Sequence, residues 1–82
     1  GEHLPSVKIG SDLIGKNIIS LIENINHDLS KSEIRRLIKN NGLSINKEKV
    51  SDDNYKLSDN LKFKKYILLQ KGKKNYTFII VE

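Results

Sequence analysis

The sequence predicts an α+β fold in which two packed helices are followed by a small, mainly antiparallel sheet. Between Ser11 and Gly42, apolar residues recur every three or four positions, which is the period of a helix face. After Gly42 the period changes, and short runs rich in β-branched and aromatic residues alternate with turn-forming residues. A length of 82 residues allows one domain with a single modest core.

The first ten residues are expected to form a linker and a short edge strand, and residues 11–82 the folded domain. Pro5 is followed by Val7 and Ile9, which alternate with polar residues as in a half-exposed strand. The first helix should begin near Ser11 with Asp12 as its N-cap. Its apolar face is formed by residues at helical spacing, namely Ile14, Ile18, Leu21, Ile22 and Ile25.

The second helix carries its own start and stop signals. Ser30 and Glu33 have the spacing of a capping box, and Leu29 can pack on Ile34 as a hydrophobic staple. The residues Asn40-Asn41-Gly42 predict its end, with Gly42 in the left-handed conformation. A short polar connection joins the two helices, so they should pack together.

This second helix combines an apolar face with a basic one. The apolar face consists of Ile34, Leu37 and Ile38. The basic residues are Lys31, Arg35, Arg36 and Lys39, and within the helix only Glu33 opposes them. Like charges this close repel by a few tenths of a kcal/mol per pair, which indicates an anionic partner. The alternative is an ordinary solvated helix face.

Two hairpins are predicted in the second half. The first has strands around Leu43 and Val50, and its turn contains Asn46-Lys47, where Lys47 is costly if it needs positive φ. The second pairs residues 63–70 with residues 76–81 across the basic turn 71–75. Tyr76 could stack on a base, but core packing is favoured because it opens the most apolar run of the chain.

The charge distribution favours a polyanionic partner. The net charge is +5, from 15 basic and 10 acidic side chains. Residues 1–30 have a net charge of −2, whereas residues 31–82 hold 13 basic and six acidic side chains, net +7. Such a field attracts nucleic acid most commonly, although an acidic protein or a membrane surface would also satisfy it.

Several other classes of site are excluded or disfavoured. The chain has no cysteine, which excludes disulfides, thiolate nucleophiles and zinc–thiolate sites. His3 and His27 are far apart and have no metal-ligand spacing. No stretch approaches a membrane span and no signal pattern is visible, so a soluble intracellular domain is expected.

Two motifs resemble one known family. The first runs from Ser30 to Val50 and reads Ser-Lys-Ser-Glu-Ile-Arg-Arg-Leu-Ile-Lys-Asn-Asn-Gly-Leu-Ser-Ile-Asn-Lys-Glu-Lys-Val, which is similar to the S4 RNA-binding domain. That family typically reads Ser-(Arg/Lys)-Ser-Glu-Ala-(Arg/Lys)-Arg-Leu-Ile, later Gly and then Val-x-Val-Asn-Gly. The second motif, Lys71-Gly-Lys-Lys-Asn-Tyr76, resembles the last hairpin of the S4-like C-terminal domain of bacterial tyrosyl-tRNA synthetase. The departures are Ile34 for Ala and Lys47 for Gly.

The resemblance implies a non-catalytic domain with the S4-like (alpha-L) fold that binds the variable arm and anticodon stem of tyrosine tRNA. The RNA-binding residues expected from it and from the basic helix face are Lys31, Arg35, Arg36, Lys39, Lys71, Lys73 and Lys74. No cofactor is expected in this chain, because the ATP-binding signatures belong to the catalytic domain of the parent ligase. The parent is expected to be a cytoplasmic homodimer, and this domain alone a monomer without membrane contact.

Two alternatives remain open from the sequence. One is a free-standing S4-type rRNA-binding domain or a fragment of an rRNA-modifying enzyme. The other is a basic protein-interaction domain. An independent enzyme is disfavoured, because there is no Gly-rich phosphate loop and no catalytic spacing of carboxylates.

Overall fold

The computed structural model describes residues 5–26, 28–58 and 66–82, and it has the α+β architecture that the sequence predicts. The helices are α1 (Ile18–Ile25) and α2 (Lys31–Lys39), and a single 3-10 turn covers Ser11–Leu13. The strands are β1 (Ser6–Ile9), β2 (Leu43–Ile45), β3 (Glu48–Lys49), β4 (Tyr66–Lys71) and β5 (Asn75–Val81).

The five strands form one mixed sheet in the order β1-β5-β4-β2-β3. β1 is an edge strand, as predicted, and runs parallel to β5 with Val7 opposite Ile79. The other pairings are antiparallel, and Ile79 also faces Ile67 across β4 and β5. Residues 63–65, predicted to begin the strand that precedes the last turn, lie outside the described ranges.

The start of the first helix differs from the prediction. Asn17, not Asp12, is the N-cap of α1, and its Oδ1 accepts a hydrogen bond from the Ile19 N–H at 2.8 Å. Asp12 lies in the preceding 3-10 turn instead. Gly15 follows that turn with φ of 92°, a left-handed conformation that separates the turn from the helix. The apolar residues therefore keep a helical spacing across this segment, although the backbone there is not one continuous helix.

The second helix starts as predicted. The Ser30 N–H donates to Glu33 Oε1 at 3.0 Å, and the Glu33 N–H donates to Ser30 Oγ at 3.1 Å, which completes the capping box. The end of the helix differs in one respect, since Asn41 takes the left-handed conformation with φ of 59°. Gly42 instead allows a close approach, because a Cβ at this position would lie 3.2 Å from Leu37 Cδ2.

The core lies between the two helices and one face of the sheet. Side chains alternate between the two faces of a strand, so Ile67, Leu69 and Ile79 point into the core. The helices contribute Ile18, Leu21, Ile22, Ile34 and Ile38, all of them buried. Leu29 packs against the same cluster, which includes Ile34.

The opposite face of the sheet is not covered by either helix. Its residues on β4 and β5 are Tyr66, Leu68, Gln70, Tyr76, Phe78 and Ile80, and each keeps some solvent exposure. Tyr76 therefore does not belong to the core, contrary to the favoured interpretation of the sequence. Its position in the strand register decides this, because Tyr76 shares a face with Phe78 rather than with Ile79.

Candidate RNA interface

Two turns meet at one end of the domain, and a third lies at the far end of β2. The two that meet are the end of α2 (residues 40–42) and the β4–β5 turn (residues 72–74), and the third is the β2–β3 turn (residues 46–47). The Gly72 N–H donates to the Gly42 carbonyl at 2.6 Å, which ties the last hairpin to the helix exit. Lys49 Nζ donates to the Asn41 carbonyl at 2.9 Å, which ties β3 to the same point. Direct hydrogen bonds therefore hold the end of α2 against the β4–β5 turn and against β3, and the Asn46 N–H donates to the Leu68 carbonyl at 2.8 Å, which holds the β2–β3 turn against β4.

A groove opens between these turns, and we call it the turn groove. It is lined by Asn40, Asn41, Gly42, Ser44, Lys47, Lys49, Gln70, Gly72, Lys73 and Tyr76. Three of these residues are lysines and none is acidic. In the part of the chain that the structure describes, no ion pair reaches Lys47, Lys49 or Lys73. The described lining of the groove therefore carries a net positive charge.

Local backbone geometry holds the groove in shape. Asn46 and Lys47 have φ of 51° and 71°, which is the two-residue turn that suits the twist of a hairpin. Gly72 has φ of 73° in the other turn. The Gln70 Nε2 group donates to the Gly72 carbonyl at 3.1 Å and to the Lys73 carbonyl at 3.3 Å. The Gln70 side chain thus braces the turn that carries Lys73.

Of the residues predicted to bind RNA, Lys73 lines the turn groove itself. Lys71 lies on the helix side of the same turn, in a depression shared with Asp28, Leu29 and Leu37. Arg36 borders a second depression that also includes Leu29, Glu33, Leu37 and Asn40. Because Asn40 also lines the turn groove, Arg36, Lys71 and Lys73 surround the C-terminal end of α2. Lys74 is exposed in the turn between β4 and β5.

The other predicted residues lie along a different side of α2. Arg35 Nε is 3.6 Å from Asp53 Oδ2, and Lys31 Nζ is 4.0 Å from Glu23 Oε1. Lys39 borders a depression with Asp52 and Asp53. A count of charges within the helix misses these acids, because they come from α1 and from the segment after β3. The side chains of Arg35 and Asp53 are 54% and 47% exposed, so this pair contributes about 0–1 kcal/mol and is easily exchanged.

Glu33 is the acidic residue that α2 itself supplies. The hydrogen bond from the Ser30 backbone N–H lowers the pKa of the Glu33 carboxyl, and the Ser30 hydroxyl and the charge of Arg36 act in the same direction. Glu33 therefore stays ionised at neutral pH. Its carboxylate caps the N-terminus of α2, about two turns before Asn40 and the turn groove.

The groove contains two basic residues that the sequence interpretation did not select, Lys47 and Lys49. From the sequence, Lys47 is notable only for its unfavourable turn position, and Lys49 is not singled out. The available signal was the Asn46-Lys47 turn, since a turn that tolerates Lys in a left-handed conformation keeps that side chain exposed. Their proximity to Lys73 depends on β2 pairing with both β3 and β4.

The described residues offer little for other kinds of site. No group of three or more His, Cys, Asp and Glu residues within them is arranged to hold a metal ion. His3 and His27 lie outside the described ranges. Neither helix in those ranges has the length and apolar character needed to cross a membrane. The surface described above is suited to binding an anion through hydrogen bonds and charge.

The fold and the groove together define a small α+β domain with a basic surface at one end. Comparison with known proteins identifies its family. A family model described as the tyrosine–tRNA ligase SYY-like C-terminal domain matches residues 2–79. The chain belongs to this family, which confirms the resemblance inferred from the two sequence motifs.

Individual relatives agree with the family match. The chain is 40% identical to a tyrosine–tRNA ligase of Clostridium tetani over 81 residues, which is 99% of this chain and 20% of the relative. It is 36% identical to the tyrosine–tRNA ligase of Caldanaerobacter subterraneus over 81 residues, with the same coverage. A 54-residue stretch is 50% identical to the enzyme of Porphyromonas gingivalis, covering 65% of this chain and 13% of that protein. The chain thus spans about a fifth of the length of the first two relatives.

Proposed function

We propose that this domain binds folded RNA through the turn groove and the basic residues around the end of α2, and that its RNA is tyrosine tRNA. The observation that carries the proposal is the grouping of Lys47, Lys49 and Lys73 in a groove with no carboxylate among its described lining residues. Arg36 and Lys71 extend this surface. We call these five residues the basic end.

The chemistry of the groove fits a phosphate backbone. An ammonium group has three donors, and Lys49 uses one of them on the Asn41 carbonyl, so two are free for phosphate oxygens. Lys47 and Lys73 make no ion pair within the described ranges. Asn40, Ser44 and Gln70 add neutral groups that can contact ribose 2′-hydroxyls. This combination recognises the shape of an RNA helix more than its sequence.

The side of α2 that carries Lys31, Arg35 and Lys39 forms a second contact in this proposal. A phosphate that approaches Arg35 would replace Asp53, which costs little because the pair is exposed. Binding through both sides of the helix would place α2 across a groove of the RNA. The variable arm and the anticodon stem of tyrosine tRNA are the two helical elements proposed to be contacted.

The family also bears on the fold of this domain and on the protein that contains it. We propose that the domain has the S4-like (alpha-L) fold and is the non-catalytic C-terminal part of a cytoplasmic tyrosine–tRNA ligase. The parent would use ATP in its catalytic domain and act as a homodimer, whereas this chain alone would be a monomer without a cofactor. The family match and the names of the relatives support this proposal.

Salt-dependent binding tests the proposal. The affinity of the 82-residue chain for a tyrosine tRNA transcript is measured over a range of salt concentrations, with Lys47, Lys49 and Lys73 each changed to Ala in one variant. Because each phosphate contact contributes about one unit to the slope of log affinity against log salt, the triple variant should flatten the slope by about 2–3 units. The matched control changes Lys16 and Lys56 to Ala, two exposed lysines away from the groove.

The proposal fails if the triple variant and the control bind tRNA equally well. A ribosomal RNA helix as competitor then tests the identity of the RNA, since a free-standing rRNA-binding domain would prefer it. NMR titration with the tRNA locates the binding surface, because chemical-shift changes should concentrate at residues 36, 47–49 and 71–74. A basic domain that binds an acidic protein would show no shifts on addition of tRNA.

A further inference from the structure

The open face of the sheet carries three aromatic side chains, Tyr66, Tyr76 and Phe78. Tyr66 is 53% exposed, although it is a large aromatic residue in a regular strand. Its ring lies 5.8 Å from the ring of Phe78, centroid to centroid, at an angle of 56°. The two residues are diagonal neighbours across β4 and β5, since Leu68 is directly opposite Phe78. The exposure of Tyr66 leaves part of its ring accessible to a ligand.

This face continues directly into the turn groove. Leu68 and Gln70 follow Tyr66 along β4, and Gln70 and Tyr76 both line the groove. On the same face lie Ser44 and Lys49 at one side and Lys8 at the other, as the strand registers show. No described strand position on this face is acidic, and the first carboxylate beyond the strands is Glu82, which follows β5 and lies diagonal to Tyr66 in the register.

We infer that the open sheet face binds unpaired nucleotides of the RNA, with Tyr66 as the principal stacking residue. The inference rests on the proposed function, because it uses the continuity of this face with the phosphate-binding turn groove. Exposed aromatic rings flanked by cations suit single-stranded nucleic acid, since every base has a face that can stack. A paired helix cannot use Tyr66 in this way, because its bases are already stacked on each other.

Other occupants of the face are less well supported. An acidic peptide would be drawn to Lys8 and Lys49 but would gain little from the apolar surface between them. An apolar protein surface would bury Tyr66 but would also have to cover Gln70 and the two lysines. Unpaired nucleotides satisfy both features, because the bases contact the rings while their phosphates contact the lysines.

The test uses four RNA probes with the 82-residue chain. They are a blunt RNA duplex, the same duplex with a short single-stranded extension, the same duplex with an abasic extension, and the single strand alone. The extension should tighten binding, and the abasic extension should recover little of this gain because its phosphates are present but its bases are absent. Tyr66→Ala should lose about 5- to 100-fold in affinity for the extended duplex. Its affinity for the blunt duplex should be unchanged.

Tyr66→Phe is the matched variant, and it should still bind the extended duplex more tightly than the blunt one, because it retains the ring and removes only the hydroxyl. A thermal melt shows that both variants fold, which the exposure of Tyr66 leads us to expect. Base protons of the extension should shift upfield in NMR spectra with the parent chain and with Tyr66→Phe, and not with Tyr66→Ala. This readout reports stacking and would not respond to a merely structural change.

The outcomes separate the two proposals. If the blunt duplex binds through Lys47, Lys49 and Lys73 but the extension adds nothing, the basic end is supported and the stacking inference is overturned. An equal gain from the abasic extension, or an unchanged gain in Tyr66→Ala, also overturns it. If the blunt duplex does not bind, the proposed function fails. Binding of the single-stranded probe then tests the stacking inference, which is retained only if the parent chain binds this probe more tightly than Tyr66→Ala does.

Discussion

Lys47 offers a substitution that should raise stability and lower RNA affinity at the same time. It occupies a left-handed position with φ of 71°, which costs a residue with a Cβ about 1–2 kcal/mol. Glycine avoids this cost but loses about 0.5–1 kcal/mol through the greater freedom of the unfolded chain. Lys47→Gly should therefore increase the free energy of unfolding by about 0.5–1 kcal/mol. For a domain of this size the gain corresponds to a rise of roughly 2–8 °C in Tm.

The same change removes one cation from the turn groove. The slope of log affinity against log salt should fall by about one unit, and tRNA affinity by about 3- to 10-fold at moderate salt. Lys47→Ala separates the two effects, since it removes the charge but keeps a Cβ in the strained position. Its affinity should match that of Lys47→Gly, while its Tm should not rise.

Thermal melts and salt-dependent binding of the three proteins provide the assay. Equal Tm values for Lys47→Gly and Lys47→Ala would show that the turn stores no strain at this position. Parent-like tRNA affinity in both variants would remove Lys47 from the basic end.

Two other predictions concern the charges on α2. The lowered pKa of Glu33 means that its stabilising effect is present above the ordinary value of 4.5 and is lost as the pH falls through the folded-state pKa. Glu33→Gln keeps a capping-box side chain and should show a smaller loss of Tm on acidification than the parent, whereas an identical loss would refute the assignment. Asp53→Asn removes the carboxylate beside Arg35 and should tighten tRNA binding by about 2- to 5-fold at low salt. Asp12→Asn is its exposed control, and equal affinities for the two variants would indicate that Arg35 does not contact the RNA.

Local signals in the sequence predicted most of the secondary structure. The capping box at Ser30 and Glu33 depends on residues three positions apart, so the sequence alone was sufficient to place the start of α2. The two hairpins were predicted from their turn residues for the same reason. The N-cap of α1 was predicted wrongly, because the apolar period extends across Gly15 and gives no sign that the backbone reverses there.

The candidate site was harder to predict, because it is formed by residues distant in the chain. The seven basic residues predicted from the sequence lie on α2 and around the β4–β5 turn, and they divide between the two sides of α2. Their acidic neighbours Glu23 and Asp53 come from other elements. The apolar character of its strand predicts Tyr76 in the core, but the side chains of a strand alternate between the two faces of the sheet, and Tyr76 is on the face away from the helices.

The sequence by itself determined the fold class, the start of α2, the turn positions and the family, because each depends on residue types at short and fixed spacings. Tertiary structure alone decided which cations share a surface. The pairing of β2 with β4, and the hydrogen bond from the Gly72 N–H to the Gly42 carbonyl, bring Lys47 and Lys49 to Lys73. Electrostatic potential depends on distances in space, and the packing of the sheet against α2 establishes those distances.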